Sequence, residues 1–220
     1  MQDSLQPVVT PLAPEHLSEV VRVHMLSFPT SATTVLGKET VRRYYEWQFV
    51  GPHQAHYLAV WLKPGQLGGF CFCGRFKGAL GGFLTKNRPF LIRQFLLRPW
   101  VLRHQEVRSA ARDSLSRFIP KAFAPRPPQP PAAPADRAEP ARFGILAIAV
   151  DPAARRKGFA AALMARAEEI ARQTGFQKLE LSVRPSNEAA VRFYRTLGWE
   201  EILDDGVWCG RMQKTLVNLT

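Results

Sequence analysis

The stretch from residue 143 to residue 173 constrains the fold of this chain more than any other part of it. Residues 143–150 form an apolar run of strand length, and a turn rich in small and basic residues follows. From residue 158 to 173 apolar side chains recur at helical spacing. These side chains are Leu163, Met164, Ala167, Ile170 and Ala171. A buried strand that leads through a turn into an amphipathic helix predicts an α/β layer with a sheet between helices.

The turn between this strand and this helix has the composition of an anion-binding site. Arg155, Arg156 and Lys157 supply positive charge, while Gly158 and Ala160 keep bulky side chains away from the backbone. The first turn of a helix has unpaired N–H groups and a partial positive charge, so phosphates bind there. The turn therefore predicts a phosphate site, with a solvated surface run as the simpler alternative.

Two motifs in this half of the chain resemble the GNAT acetyltransferase superfamily. The segment Arg155–Ala160 matches the family signature Arg/Gln-x-x-Gly-x-Gly/Ala in the expected strand–turn–helix setting. The segment Asn187–Trp199 reads Asn-x-x-Ala-x-x-x-Tyr-x-x-x-Gly-Trp, which is very like GNAT members. The resemblance is specific over residues 143–203 and looser over residues 7–73, where only the order of the elements agrees.

The resemblance implies a fold and a reaction. The expected fold is an α/β GNAT fold, in which helices flank a central, mixed and mostly antiparallel sheet. The central strands should part to admit the cofactor. The expected reaction moves an acetyl group from acetyl-CoA to a primary amine by direct attack, without an acyl-enzyme.

The resemblance also implies roles for individual residues. Main-chain groups of Ile148, Ala149 and Val150 would bind the pantetheine arm as an added strand does. Tyr194 would act as the general acid, because a phenol of pKa ~10 can protonate a thiolate of pKa ~8.5. Asn187 would contact the pantetheine. The residues expected around the pyrophosphate are Arg155, Arg156, Lys157, Gly158, Phe159, Ala160 and Ala161.

Several of these assignments have simpler alternatives. Tyr194 could be a core aromatic of an amphipathic helix, and Asn187 could only cap its helix. The strand 143–150 contains no carboxylate, so the general base stays open. The candidates are Glu180, His24, His56, a water chain, or no base at all if the acceptor has a low pKa. Residues 27–30 are a candidate wall of the acceptor pocket, although an ordinary loop is an equal alternative.

Residues 84–142 form a predicted insertion before the central strand. Residues 75–126 contain twelve Lys or Arg against two acidic residues, in a chain of net charge +12. The first half of the insertion interleaves arginines with Phe, Leu and Trp and predicts a helix that breaks at Pro99. Residues 124–140 contain seven prolines and predict a mobile or polyproline-like loop.

Three roles are open for the basic half of this insertion. It could be a helical flap that packs on the domain, it could bind an anionic acceptor, or residues 86–108 could make weak contact with a membrane surface. We do not expect a nucleic-acid partner, because no recognised motif or stacking platform is present.

Composition bounds the remaining properties. Three cysteines are too few for a disulfide framework, and Cys71 and Cys73 alternate as two residues on one face of a strand do, so we expect no metal site. No signal peptide and no run of 18 apolar residues is present, which makes the cytoplasm the expected location. We interpret residues 1–220 as a single domain whose oligomeric state stays open.

The acceptor class is the least determined property. The leading hypothesis is a small-molecule amine such as an amino sugar. One alternative is a protein lysine or N-terminus. Another is a non-catalytic module that binds acyl-CoA and docks on a membrane through the basic insertion.

Overall fold

A single seven-stranded sheet forms the centre of the computed structural model, which describes residues 7–103 and 142–216. The strands are β1 (Val9–Pro11), β2 (Gln54–Lys63), β3 (Gln66–Arg75), β4 (Phe143–Val150), β5 (Lys178–Ser182), β6 (Glu200–Asp204) and β7 (Val207–Thr215). Their order is β1-β2-β3-β4-β5-β7-β6, and only β4 and β5 are parallel neighbours. The predicted mixed, mostly antiparallel sheet is confirmed.

Helices cover both faces of this sheet. They are α1 (Leu17–Ser27), α2 (Ala32–Val35), α3 (Lys38–Val50), α4 (Ala79–Lys86), α5 (Arg88–Leu97), α6 (Phe159–Gln173) and α7 (Glu188–Thr196). Among the described residues, short 3-10 helices span Pro14–His16, Pro99–Arg103 and Pro152–Ala154. The Ser31 side chain accepts a hydrogen bond from the Thr34 N–H and so caps the short helix α2.

The alternation of side chains along β3 divides the core into two layers. Cys71 and Cys73 point to the face that α6 covers, as their spacing predicted, and both thiols are buried. Phe70 and Phe72 point to the opposite face, where they pack with buried residues of α1 and α3 such as Tyr45. Because both faces of the sheet are covered, its central strands are apolar on both sides.

The sheet parts between β4 and β5. The two strands pair only through Phe143, Ile145 and the residue between them, opposite residues 179–181 of β5. Antiparallel pairing of β4 with β3 continues as far as Val150, with a register shift where residue 146 is passed over. The second half of β4 therefore keeps one edge that no strand covers.

An ion-pair network fastens α1 to the end of β4. Arg22 donates to Asp151 at 2.5 Å and to the Leu67 carbonyl at 2.7 Å, and it also pairs with Glu19. Burial would raise the pKa of Asp151, but the hydrogen bonds from Arg22 and from the Ala153 N–H outweigh it and lower that pKa. The carboxylate stays charged and holds α1 beside the gap in the sheet.

The described part of the insertion is a helical layer on α2 and α3. Phe83, Leu91 and Val101 form a buried cluster with Leu36. The predicted break at Pro99 is confirmed, because α5 ends at Leu97 and a 3-10 helix follows. The layer already begins with α4, before the predicted boundary at residue 84. The proline-rich segment 124–140 lies outside the described residues, as does the rest of 104–141.

Within residues 7–103 and 142–216, no helix is both long and apolar enough to cross a bilayer.

Gly68 tests how β3 positions α6. A Cβ at this position would lie 2.4 Å from the Phe159 ring, whereas a Cβ at Gly144 would lie 3.6 Å from the nearest atom, the Gly74 carbonyl oxygen. We expect Gly68→Ala to lower the free energy of unfolding by about 1–3 kcal/mol through overpacking, and Gly144→Ala to change it much less. Urea unfolding measures both. The double variant Gly68→Ala with Phe159→Leu should recover stability, and equal effects of the two alanines would contradict the close contact.

Candidate functional site

A cleft of about 700 Å³ opens where β4 and β5 part. Its walls come from the end of α1 with the following loop and α2, from α3, from Leu80 of α4, from the two parting strands, and from α7 with the loop before it. The lining residues with polar side chains are His24, Ser27, Thr30, Ser31, Thr33, Tyr44, Tyr45, Ser182, Arg184, Ser186, Asn187 and Tyr194. All four residues from Ser27 to Thr30 line this cleft, so the structure places the predicted acceptor wall here.

The uncovered edge of β4 presents main-chain groups to this gap. The Asp151 N–H donates to the Gly68 carbonyl of β3, and successive strand residues point their backbone groups to opposite edges. Ile148 and Val150 therefore direct their N–H and C=O groups towards the gap, whereas those of Ala149 face β3. The Ser27 hydroxyl already donates to the Val150 carbonyl at 3.0 Å. Of the three predicted main-chain contacts, only those at Ile148 and Val150 face the gap.

The turn before α6 concentrates three consecutive cationic side chains. Arg156 and Gly158 have positive φ angles of 62° and 78°, which turn the chain sharply into the helix. Arg155, Arg156 and Lys157 are exposed, and none of them has an ion-pair partner among the described residues. The first turn of α6 also has no acidic residue and no side-chain cap. Its free N–H groups and its dipole therefore favour an anion at this position.

The other predicted residues of this turn contribute mainly through their backbone. Phe159 is half-buried, and its ring packs over Gly68 and towards the core. Ala160 and Ala161 follow it in the first turn of α6, where the N–H groups precede the first helical hydrogen bond, from the Ala162 N–H to Gly158. No side chain larger than a methyl group stands at Ala160 or Ala161.

Tyr194 reaches the cleft from α7. Its ring is buried and packs against Trp199 and Phe193, and its hydroxyl has no hydrogen-bond partner in the part of the chain that the structure describes. Burial first, and then the neighbouring Cys71 thiol, raise the pKa of Tyr194 above its usual value. The phenol therefore stays protonated at neutral pH and can serve as a proton donor. Core packing and a position in the cleft occur together at this residue.

Asn187 caps α7 and also lines the cleft. Its side-chain oxygen accepts a hydrogen bond from the Ala190 N–H at 3.3 Å. The capping role considered from the sequence is therefore present. Because this bond uses only the oxygen, the side-chain amide group keeps two donors for a ligand.

A family comparison agrees with this geometry. The model of the Acetyltransferase (GNAT) family matches residues 121–199, which include β4, the basic turn, α6, β5 and α7. This match assigns residues 121–199 of the chain to the GNAT superfamily.

Solved structures share the fold of this GNAT protein at low sequence identity. One is the PaiA N-acetyltransferase from Thermoplasma acidophilum in complex with coenzyme A, with 12% identity, a TM-score of 0.53, and coverage of 96% of this chain and 100% of that one. Another is a phosphinothricin acetyltransferase from Sinorhizobium meliloti in complex with AcCoA, with 13% identity, a TM-score of 0.54, and coverage of 96% and 89%. A third is the ribosomal-protein-S18-alanine N-acetyltransferase from Escherichia coli, with 14% identity, a TM-score of 0.53, and 97% of both chains covered.

The three residues considered as the general base lie at different places relative to the cleft. Glu180 lies outside the cleft lining, where it pairs with Arg142 at 3.2 Å and Arg211 at 3.6 Å. His56 is on β2 and lies against the Phe143 ring, also away from the cleft. His24 lines the cleft, so it is the one candidate residue of the three that the fold places there.

His24 is the centre of a buried hydrogen-bond network that sequence reasoning did not find. Its Nδ1 lies 2.9 Å from the Tyr45 hydroxyl, and its Nε2 lies 3.2 Å from the hydroxyls of both Ser31 and Thr33. Burial lowers the pKa of His24 to about 4, so the imidazole is neutral at pH 7. The run of hydroxyl residues at positions 30–34 was a visible signal, but its partners in α1 and α3 follow only from the tertiary structure.

The lowered pKa of His24 predicts a pH-dependent stability. Above pH 6.5 the imidazole is neutral in both folded and unfolded chains. As the pH falls from 6.5 towards about 4, the unfolded chain binds a proton that the folded chain does not, so stability decreases. We expect this group to cost about 3 kcal/mol of unfolding free energy at the acidic end of the window. The measurement is urea unfolding across the window.

The variant His24→Gln supplies the control, because it keeps hydrogen-bonding groups but does not titrate. The difference in unfolding free energy between wild type and variant should change across the window by the stated amount. A difference that stays constant with pH would contradict the neutral, buried imidazole.

Proposed function

We propose that this GNAT protein transfers an acetyl group from acetyl-CoA to a small primary amine. The observation that carries the proposal is the uncovered edge of β4, which runs from the basic turn to the cleft that holds Tyr194. A strand edge, an anion site and a proton donor along one path suit a molecule with a pyrophosphate at one end and a thioester at the other.

The path offers a complementary group for each part of acetyl-CoA. The free N–H groups at the start of α6 and the unpaired charges of Arg155, Arg156 and Lys157 suit the pyrophosphate. The outward main-chain groups of Ile148 and Val150 suit the amides of the pantetheine arm. The amide of Asn187 faces the same cleft and supplies further donors.

The reaction then needs one proton donor and one proton acceptor. The amine nitrogen attacks the thioester carbonyl carbon, the carbon–sulfur bond breaks, and the departing thiolate takes a proton from the Tyr194 hydroxyl. The tetrahedral oxyanion is stabilised by a main-chain N–H on the uncovered edge of β4. The attacking amine loses its proton to solvent, and Tyr194 regains a proton from solvent, which restores the starting state of the protein. His24 and its hydroxyl partners form the polar surface beside the attacking amine.

The lining of the cleft favours an acceptor without additional positive charge. None of the described lining residues is Asp or Glu, so no carboxylate stabilises a polycationic substrate. The hydroxyls of Ser27, Thr30, Ser31 and Thr33 can instead hydrogen-bond a polyhydroxylated amine such as an amino sugar. The lack of Asp and Glu among the described lining residues also suits an amine of low pKa, because such an amine reaches its reactive neutral form without a strong base.

A protein lysine or N-terminus is the alternative acceptor, because the fold is shared by a ribosomal-protein-S18-alanine N-acetyltransferase as well as by a phosphinothricin acetyltransferase. The helical layer of residues 79–103 packs on α2 and α3 and adds Leu80 to the cleft wall, which supports a small acceptor. A panel of amino sugars, other small amines and peptides, with released CoA as the readout, separates the two classes. Turnover of peptides alone would overturn the small-molecule acceptor.

Gly158 tests the donor site. Saturating acetyl-CoA at ~100 times its dissociation constant should add about 2.7 kcal/mol of stability. This is a rise of roughly 2–4 °C in Tm for a domain of this size. Gly158→Glu should abolish the rise, because its carboxylate repels the pyrophosphate and its side chain blocks the turn.

Gly175→Glu is the matched control. Its φ of +80° equals that of Gly158 within a few degrees, so the backbone strain is the same, and open space surrounds it. This variant should keep the rise in Tm with acetyl-CoA. A rise that persists in Gly158→Glu, or that disappears in both variants, would contradict the proposed position of the pyrophosphate.

Tyr194 tests the chemical step. Tyr194→Phe removes the proton donor but keeps the ring packing, so kcat should fall by about 10²–10³ with little change in the KM for acetyl-CoA. The control is Tyr57→Phe, which removes a hydroxyl that donates to the Gln48 carbonyl away from the cleft lining. Release of CoA with the best amine of the panel is the assay. A kcat within twofold of wild type in Tyr194→Phe would remove this residue from the mechanism.

A further inference from the structure

The outer face of α5 is apolar although solvent surrounds it. Ile92, Leu96 and Leu97 are 50%, 76% and 59% exposed, and Trp100 in the following 3-10 helix is 56% exposed. These positions lie within about half of the helix circumference. The opposite face of α5 is also apolar, since Leu91 is buried against Phe83 and Val101. A helix with apolar side chains on both faces is normally covered on both sides.

Basic residues flank this apolar face. Arg88 and Arg93 are exposed on α5, about 140° apart around its axis, and Lys77, Lys86 and Arg103 are exposed nearby in sequence. No Asp or Glu occurs between Glu46 and Glu106, so no carboxylate of this layer's own sequence offsets the charge. Arg98 points away from this face, because it donates to the Leu36 carbonyl on the inner side.

We propose that this face, residues 88–100, docks the protein on an anionic phospholipid surface. Exposed aliphatic and Trp side chains, with Arg and Lys among and beside them, are the composition of a surface that binds at the lipid interface. The apolar side chains would enter the boundary between headgroups and acyl chains, and the arginines would pair with lipid phosphates.

The apolar residues distinguish a lipid surface from other anionic partners. A nucleic acid would use the arginines and could stack on Trp100, but it offers no apolar medium for Ile92, Leu96 and Leu97. Free phosphate or a nucleotide likewise offers no apolar medium for these side chains. A phospholipid surface has an apolar layer beneath a layer of negative charge, so it matches both the apolar and the basic residues of this face.

Vesicle co-sedimentation of the full chain tests the proposal. Wild type should sediment with phosphatidylcholine vesicles that contain phosphatidylserine, and much less with phosphatidylcholine alone or at high salt. Leu96→Glu and the pair Arg88→Glu with Arg93→Glu should each weaken partitioning at least tenfold. Leu203→Glu is the control, because Leu203 is a 57% exposed leucine of β6 and carries the same change of charge. It should partition as wild type does.

Thermal melting checks that each variant is folded, which the exposed position of Leu96 favours. Equal partitioning of wild type and Leu96→Glu would overturn the proposal. Wild type that stays in solution with anionic vesicles would also overturn it, since another part of the chain would then cover the face. Self-association that Leu96→Glu abolishes, without vesicle binding, would assign the face to a second copy of the chain instead.

Discussion

The parting of β4 and β5 is the constraint on which the rest of this structure depends. A central strand cannot leave half of one edge without hydrogen-bond partners inside a protein unless another group supplies them. Here the Ser27 hydroxyl satisfies the Val150 carbonyl, and the remaining groups face the cleft. The gap therefore creates the volume of the site and also the demand for a ligand that can act as a strand.

The elements around the gap are held by interactions between distant parts of the chain. Arg22 ties α1 to Asp151 at the end of β4, and Lys214 of β7 pairs with the buried Glu168 of α6 at 2.7 Å. The first pair places Ser27 and His24 on one wall of the cleft. These carboxylates therefore hold the scaffold together, whereas the cleft lining among the described residues contains no carboxylate.

Two groups of cations among the described residues have different surroundings. The cations before α6 stand at the end of the uncovered strand, with glycine and alanine beside them, which suits a single bound anion. The cations around α5 border large apolar side chains, which suits an extended surface. Net charge alone could not distinguish these uses, since both sets of residues add the same charge to the composition.

The sequence by itself determined the elements whose signals are local. The apolar run of β4, the basic turn, the period of α6 and the motif around Tyr194 each occupy a short, continuous segment, and each is found where the pattern predicted it. The identity of the superfamily followed from two such segments. These signals can be recognised without the tertiary structure because strand alternation, helical period and backbone turns depend on residues close together in the sequence.

Only the tertiary structure decided which distant groups meet. It turned the main-chain groups of Ala149 away from the gap, removed Glu180 and His56 from the cleft lining, and joined His24 to hydroxyls of α2 and α3. It also showed that α5 keeps an apolar face outward, although its sequence is equally apolar on its inner side. These outcomes depend on sheet order and register, which bring together residues far apart in the chain, and no local pattern contains that information.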